Sequence, residues 1–469
     1  MSGQCRGIAE CLGRTGRVGL PLGVLLFLIL FAVQFAAERL YSDSGYYLAR
    51  VINEGTFRIE HGRYVLALAQ ILPLLGSKLG IPMNGLILLH SLNNVAFLAI
   101  CIWFAARVLK NDHAAIALAA VHLIGLTHGL FCPVFELYYG VDLLILFHAV
   151  LRTDRLGSPL RWTLLAVFFV GSVSSHFFAA LLALGLLAQE RIWRERRVAI
   201  VLALLFFAQL ALRFVAISVY ESSRLETLFF LGDAEKMMEV VRPTRLIEFA
   251  RYLFQHYLDV TLLAIATAVF LGRMRKWLEL GVFIAGLIML HLLTTLYLPG
   301  FLHDRYREQI NFVSTAWVVL VLCIHVLPHM PWRGRVMAML LAACVFRMVS
   351  AELIASHYAA RTTWIEERIT RAREHDLHKA IVPAPVLFGT KNDVIDLSWS
   401  TSVESLLLSA REGPDATVSL ITAQDTATAE VSGQLDRFIF RRWDILDPAW
   451  LAPRYFVMPE GRYTPLPEP

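Results

Sequence analysis

Apolar runs recur along most of this 469-residue chain, near 19–37, 84–106, 113–132, 138–151, 198–219, 257–272, 277–297, 309–328 and 334–352. One more, 161–190, carries Ser172, Ser174, Ser175 and His176 near its middle. A water-soluble core cannot bury so many, whereas a bilayer accepts each as a helix whose backbone bonds close within the segment. The composition agrees: 57% of residues are hydrophobic, only 17% are charged, and the mean hydropathy is +0.58. The expected fold is an all-α polytopic membrane bundle.

Basic residues set the orientation. Arg6/Arg14/Arg17, Arg107/Lys110, Arg152/Arg155/Arg161, Arg191/Arg194/Arg196/Arg197, Arg273/Arg275/Lys276 and Arg333/Arg335 fall in the N-terminal tail and in short connections. All are cytoplasmic together if 161–190 enters and returns as two short helices turning near Gly171–His176. Residues 64–80 are apolar but short, and Pro73 interrupts them, so a helix lying along the outer membrane surface is expected there. About eleven crossings follow, with the N-terminus cytoplasmic, uncleaved, and the C-terminus outside.

Three stretches then face outward: a first loop (38–83), a loop at 220–256 bearing Arg224, Glu226, Asp233, Lys236, Arg242, Arg245 and Arg251, and the tail from 353. The expected division is a membrane domain, 1–352, and a small α+β extracytoplasmic domain, 353–469. That tail begins with a charged helical pattern at Trp364 and continues with strand-like runs Ala384–Phe388, Thr417–Thr422 and Arg437–Phe440; the final residues look frayed. The six cysteines show neither metal-ligand spacing nor a disulfide framework. The arginines sit in loops rather than on one basic face, which argues against nucleic acid. No glycine-rich phosphate fingerprint is present, so a soluble nucleotide donor is not expected.

Ionisable residues cluster at the membrane edge, where a membrane enzyme can hold its chemistry. Asp43 opens the first outer loop, and Glu60, His61, Arg63 and Tyr64 follow within it. Arginine suits phosphate through paired charge-assisted bonds, although Arg and Tyr here equally suit an interfacial anchor. Glu136 follows Pro133 at the outer end of a span, and Asp142 lies deeper. The late loop carries His303, Arg305, Tyr306 and Arg307 just before another span. His90, Asn93, Asn94, His122, His128 and His176 read mainly as helix-to-helix hydrogen-bonding groups.

This layout resembles the GT-C superfamily of membrane glycosyltransferases, of the mannosyltransferase or aminoarabinosyltransferase kind. The resemblance covers roughly residues 19–330 and is one of pattern. It implies a polyprenyl-phosphate-linked sugar donor, a lipid or glycan acceptor on the outer face, and an inverting mechanism with Asp43 as general base. It also implies Glu136 in the same site and Arg305-Tyr306 as the element holding the lipid-linked phosphate. The family often carries two adjacent acids where this chain has Asp43-Ser44; no cofactor is expected, and a divalent metal is left open. The expected location is a bacterial inner membrane. Alternatives are an envelope glycan ligase or polymerase, whose site usually sits in one large late loop, a lipid or solute transporter without chemistry, and a histidine-dependent acyltransferase.

Overall fold

The computed structural model describes residues 2–467 except 216, 220, 224–225, 227–237, 299, 302, 331–332, 384–398, 427–430, 432 and 442, with residues 2–17 described by backbone alone. Arg224, Asp233, Lys236 and the strand expected at Ala384–Phe388 lie outside the described residues. The chain is mostly helical. Helix α1 (Ser2–Gln34) leads through a short 3₁₀ turn to α2 (Asp43–Glu54), which ends on Gly55 in the left-handed conformation. A 3₁₀ turn (Tyr64–Gln70) and α3 (Ile71–Leu79) occupy the segment expected to lie on the surface; Pro73 falls in the first turn of α3, where its missing N–H costs nothing.

Helix α4 (Met83–Trp103) is followed by a π turn, and α5 (Asp112–Val121) is capped by the Asn111 side chain. The run expected to span over 113–132 does not stay helical. Gly125 takes φ +73°, and non-α backbone, with one 3₁₀ turn (His128–Phe131), runs from His122 to α6 (Glu136–Leu151). Exposed to lipid, that backbone would leave its polar groups unpaired. It is instead buried, and the Glu308 carboxylate accepts the N–H groups of Thr127, His128 and Gly129 at 2.7, 3.2 and 2.6 Å.

Every residue of α6 is buried, as suits a helix apolar on all sides. Helices α7 (Ser158–Ser175) and α8 (Phe177–Gln189) are separated by a single extended residue, His176, so the break in the run 161–190 falls at the polar end of the expected turn. Next come α9 (Arg196–Val215), α10 (Pro243–His256), α11 (Leu258–Arg273), α12 (Trp277–Tyr297), α13 (Arg305–Leu320, prolonged by π and 3₁₀ turns to His329) and α14 (Arg333–Glu374). Among the described residues, five helices are long and apolar enough to cross a membrane: Met83–Val108, Arg196–Val215, Trp277–Tyr297, Arg305–His329 and Arg333–Glu374. The pair α10 and α11, bent by 105°, would be a sixth.

Most of the core is one large apolar cluster that includes nearly all of α5, α6 and α13, and a second, small cluster of Ile421, Val431, Ile439 and Tyr463 lies in the tail. Around it, large apolar side chains face outward, among them Leu22, Leu26, Leu204, Phe207, Ile265 and Val345. Exposed apolar surface on so many helices at once fits contact with lipid.

Helix α14 is a single rod of 42 residues, about 63 Å long. The boundary drawn at 352/353 therefore falls inside one helix. Beyond it, β1 (Lys379–Val382) lies between β2 (Ser419–Thr422) and β5 (Thr464–Pro465), both parallel to it, while β3 (Phe438–Arg441) pairs antiparallel with β4 (Asp444–Leu446). The C-terminal stretch expected to fray is thus pinned: Leu466 N–H donates to the Ile381 carbonyl at 2.9 Å. Helix α15 (Thr401–Ser409) packs between this sheet and the bundle.

Candidate active site

The backbone turns sharply just ahead of α2. Ser42 sits at φ 61°, ψ −131°, and Ser44 N–H points back to the Tyr41 carbonyl at 3.4 Å. Those dihedrals belong to the first central position of a type II′ turn, which glycine normally fills. Gly45 is needed for a second reason: a Cβ there would lie 2.5 Å from the Leu40 carbonyl oxygen. This tight entry places Asp43 in the first turn of α2, where the positive end of the helix dipole favours a carboxylate.

Arg305 opens α13, behind Asp304, whose side chain caps the helix by accepting Arg307 N–H. The Arg305 guanidinium donates to Asp43 Oδ2 at 2.8 Å, to Gln309 Oε1 at 3.0 Å, and to Cys132 Sγ at 3.5 Å. The two partners differ in access. The Arg305 side chain is 8% exposed and that of Asp43 is 41% exposed. A sealed cation therefore holds an acid that solvent can reach.

Beside this pair runs a chain of alternating charge. Arg63 pairs with Glu136 and, at 3.2 Å, with Glu221, which in turn takes Arg213 at 2.7 Å. Burial works against the charge on Arg63, yet the Glu136 and Glu221 carboxylates outweigh it and hold its pKa above the usual arginine value. Burial pushes Glu221 up, but Arg213 and Arg63 overcome this and leave it below the ordinary glutamate range. Tyr47 is buried among these groups; burial first, then the Glu60, Glu136 and Asp43 carboxylates, raise its phenol well above its usual value. Glu136 lies within electrostatic range of Asp43. Asp43, Glu136, Arg63 and Arg305 thus gather from four separate stretches.

Other residues expected in the site turn elsewhere. Glu60 accepts from Tyr46 and Arg58, and His61 Nδ1 meets Ser218 Oγ at 2.9 Å. Tyr64 points outward, 72% exposed. Arg307 donates to the carbonyls of Leu298 and Thr294 at the end of α12, and Tyr306 donates to Tyr297 at 3.2 Å. His303 stacks on His256 with 4.0 Å between ring centroids, touches Tyr252 at 3.3 Å, and lies 3.6 Å from Glu308. Asp142 is committed to His122 at 2.8 Å. Among the described residues, no group of three or more His, Cys, Asp or Glu is arranged to hold a metal ion.

Tyr47, Cys132, Gln309, Glu221 and Arg213 join the cluster without having been singled out from the sequence. Gln309 had a signal, since it lies one helical turn from Arg305. The tail also reaches α2. Glu404 accepts the Arg361 guanidinium at 2.9 and 3.0 Å and stands 3.5 Å from Ser42 N. Asp444 pairs with Arg50, Asn53 accepts from Ala452 N–H at 2.6 Å, and the Arg441 guanidinium lies 3.8 Å from the Tyr46 ring centre. The helix carrying Asp43 is therefore gripped along its length by the C-terminal segment. Comparison with protein-family models, with curated proteins and with solved structures gave no match to this chain.

Proposed function

We propose that this chain is an integral membrane glycosyltransferase of the GT-C kind, moving a sugar from a polyprenyl-phosphate carrier to a lipid or glycan acceptor with inversion. The observation that carries the reading is the half-exposed Asp43 carboxylate held by the sealed Arg305 guanidinium. The proposal includes eleven membrane crossings, made by α1, α4, α5 together with the buried broken stretch after it, α6 to α9 and α11 to α14, with the N-terminus cytoplasmic and the site and the tail on the outer face of a bacterial inner membrane. Residues 1–352 are the membrane part in this proposal and 353–469 an extracytoplasmic part.

The chemistry needs a base for the acceptor proton and a cation for the departing phosphate. In the resting arrangement Arg305 holds Asp43. An arriving donor phosphate competes for the same guanidinium, whose planar fork suits it, and releases the carboxylate. The acceptor oxygen then bonds to the anomeric carbon as its proton passes to Asp43. The bond from that carbon to the phosphate oxygen breaks, and the polyprenyl phosphate leaves with the electron pair, beside Arg305. Glu136, fixed by Arg63, adds negative charge next to Asp43 and is positioned to orient the acceptor.

The test is release of polyprenyl phosphate by the purified chain in vesicles, offered a panel of synthetic polyprenyl-phosphate sugars with acceptor lipids. Turnover of at least one sugar is expected, and Asp43→Asn should stop it. Release that continues unchanged in Asp43→Asn removes the aspartate mechanism. Transbilayer movement of donor without release would favour a transporter.

A further inference from the structure

Helix α10 (Pro243–His256) meets α11 at 105°, so with α11 crossing the bilayer, α10 runs roughly in its plane. At 100° per residue its sequence divides into three stripes. Arg245, Phe249, Tyr252, Leu253 and His256 are buried or half-buried. Pro243, Leu246, Ile247, Ala250 and Phe254 form a second stripe, apolar and exposed, with Ile247 62% and Phe254 64% exposed. Thr244, Glu248, Arg251 and Gln255 form the third, polar and exposed.

We infer that α10 is an interfacial helix, seated with its apolar stripe in the acyl-chain boundary of the leaflet. Two stripes suffice for a helix between protein and water, and a helix sunk in lipid would not keep Glu248, Arg251 and Gln255 on an open face. Three stripes of distinct character fit three surroundings at once: protein, lipid and water. Arg242, exposed at the start of the helix, and Arg251 on its polar face are placed at headgroup level. The position also has a consequence for the bundle end that carries Arg305. The protein-facing stripe supplies Tyr252, whose hydroxyl meets His303 and accepts from Asn311 at 3.0 Å, and His256, which stacks on His303. The lipid surface thus backs the helix that shapes the late loop.

The experiment places a benzophenone-bearing residue singly at 247, 250 and 254, and singly at 244, 248, 251 and 255, in the full chain reconstituted in phosphatidylcholine–phosphatidylglycerol vesicles. Light-driven adducts are identified by mass. Lipid adducts at least ten-fold more abundant on the first set than on the second are expected. Equal lipid adducts on both sets would mean a submerged helix and overturn the inference. Protein–protein adducts from 247 and 254 would mean the stripe covers a second copy and would overturn it equally. Each stripe offers several exposed positions, so a variant that does not remain monodisperse is replaced by its neighbour on the same face.

Discussion

Ser42 occupies a turn position that asks for glycine, and its buried hydroxyl has no hydrogen-bond partner among the described residues. Strain of this sort costs roughly 1–3 kcal/mol, and an unpaired buried hydroxyl about as much. Glycine would add only about 0.4–1 kcal/mol of unfolded-chain freedom. Ser42→Gly should therefore stabilise the protein by about 1 kcal/mol or more, read as a raised melting temperature in detergent; a fall would show that the serine makes a contact the strain argument omits. His303 gives a second residue-level expectation. Burial, then His128 and His256 beside it, push its pKa down to about 2. A base whose folded pKa lies below its unfolded value adds no penalty above about pH 6.5 and costs stability as pH falls beneath it. At pH 5 the penalty should reach about 2 kcal/mol, and His303→Gln should flatten the decline of melting temperature between pH 7 and pH 5. Asp43, Glu136, Arg305, Tyr64 and Arg307 stand out alike in the sequence as polar groups placed against apolar runs. That the first three lie together while Tyr64 faces outward and Arg307 bonds to the end of α12 was not readable, because the direction of a side chain depends on turns and helix ends that neighbouring residue types do not fix.

Helices α2 and α13 show what each element contributes. Gly45→Ala drives a methyl against the Leu40 carbonyl, which is backbone and cannot swing aside. It should lower the melting temperature and displace Asp43; an unchanged melting curve would mean the turn relaxes freely. Glu308→Gln replaces one of two oxygens that accept backbone N–H groups in the broken segment after α5. The amide turns a donor toward a donor, at a cost of about 1–3 kcal/mol, visible as a lower unfolding midpoint. The long apolar elements were readable, and Trp277–Tyr297 matches its expected bounds. The break after α5 was less so, because Gly125, Gly129 and Pro133 also occur inside helices, and the partner that satisfies the freed backbone lies about 180 residues away, as Glu308. The unbroken length of α14 was not readable because its character changes from apolar to charged while its helical periodicity continues.

At the scale of the molecule, the bundle and the tail meet at α2. The apolar girdle was readable from composition, but the grip of Glu404, Asp444 and Arg441 on α2 joins residues roughly 400 positions apart and leaves no local pattern. That grip and the Arg305 contact together fix one carboxylate at one end of the bundle. Loss of either partner should therefore disable the other. A double-mutant cycle on the efficiency of the proposed sugar transfer, with Asp43→Asn, Arg305→Gln and both together, measures this directly. Each single change should cost about 100-fold or more, with the double variant little worse than the poorer single one, because the pair works as a unit. Independent losses that multiply, or an Asp43→Asn protein within a few-fold of the parent, would contradict the account.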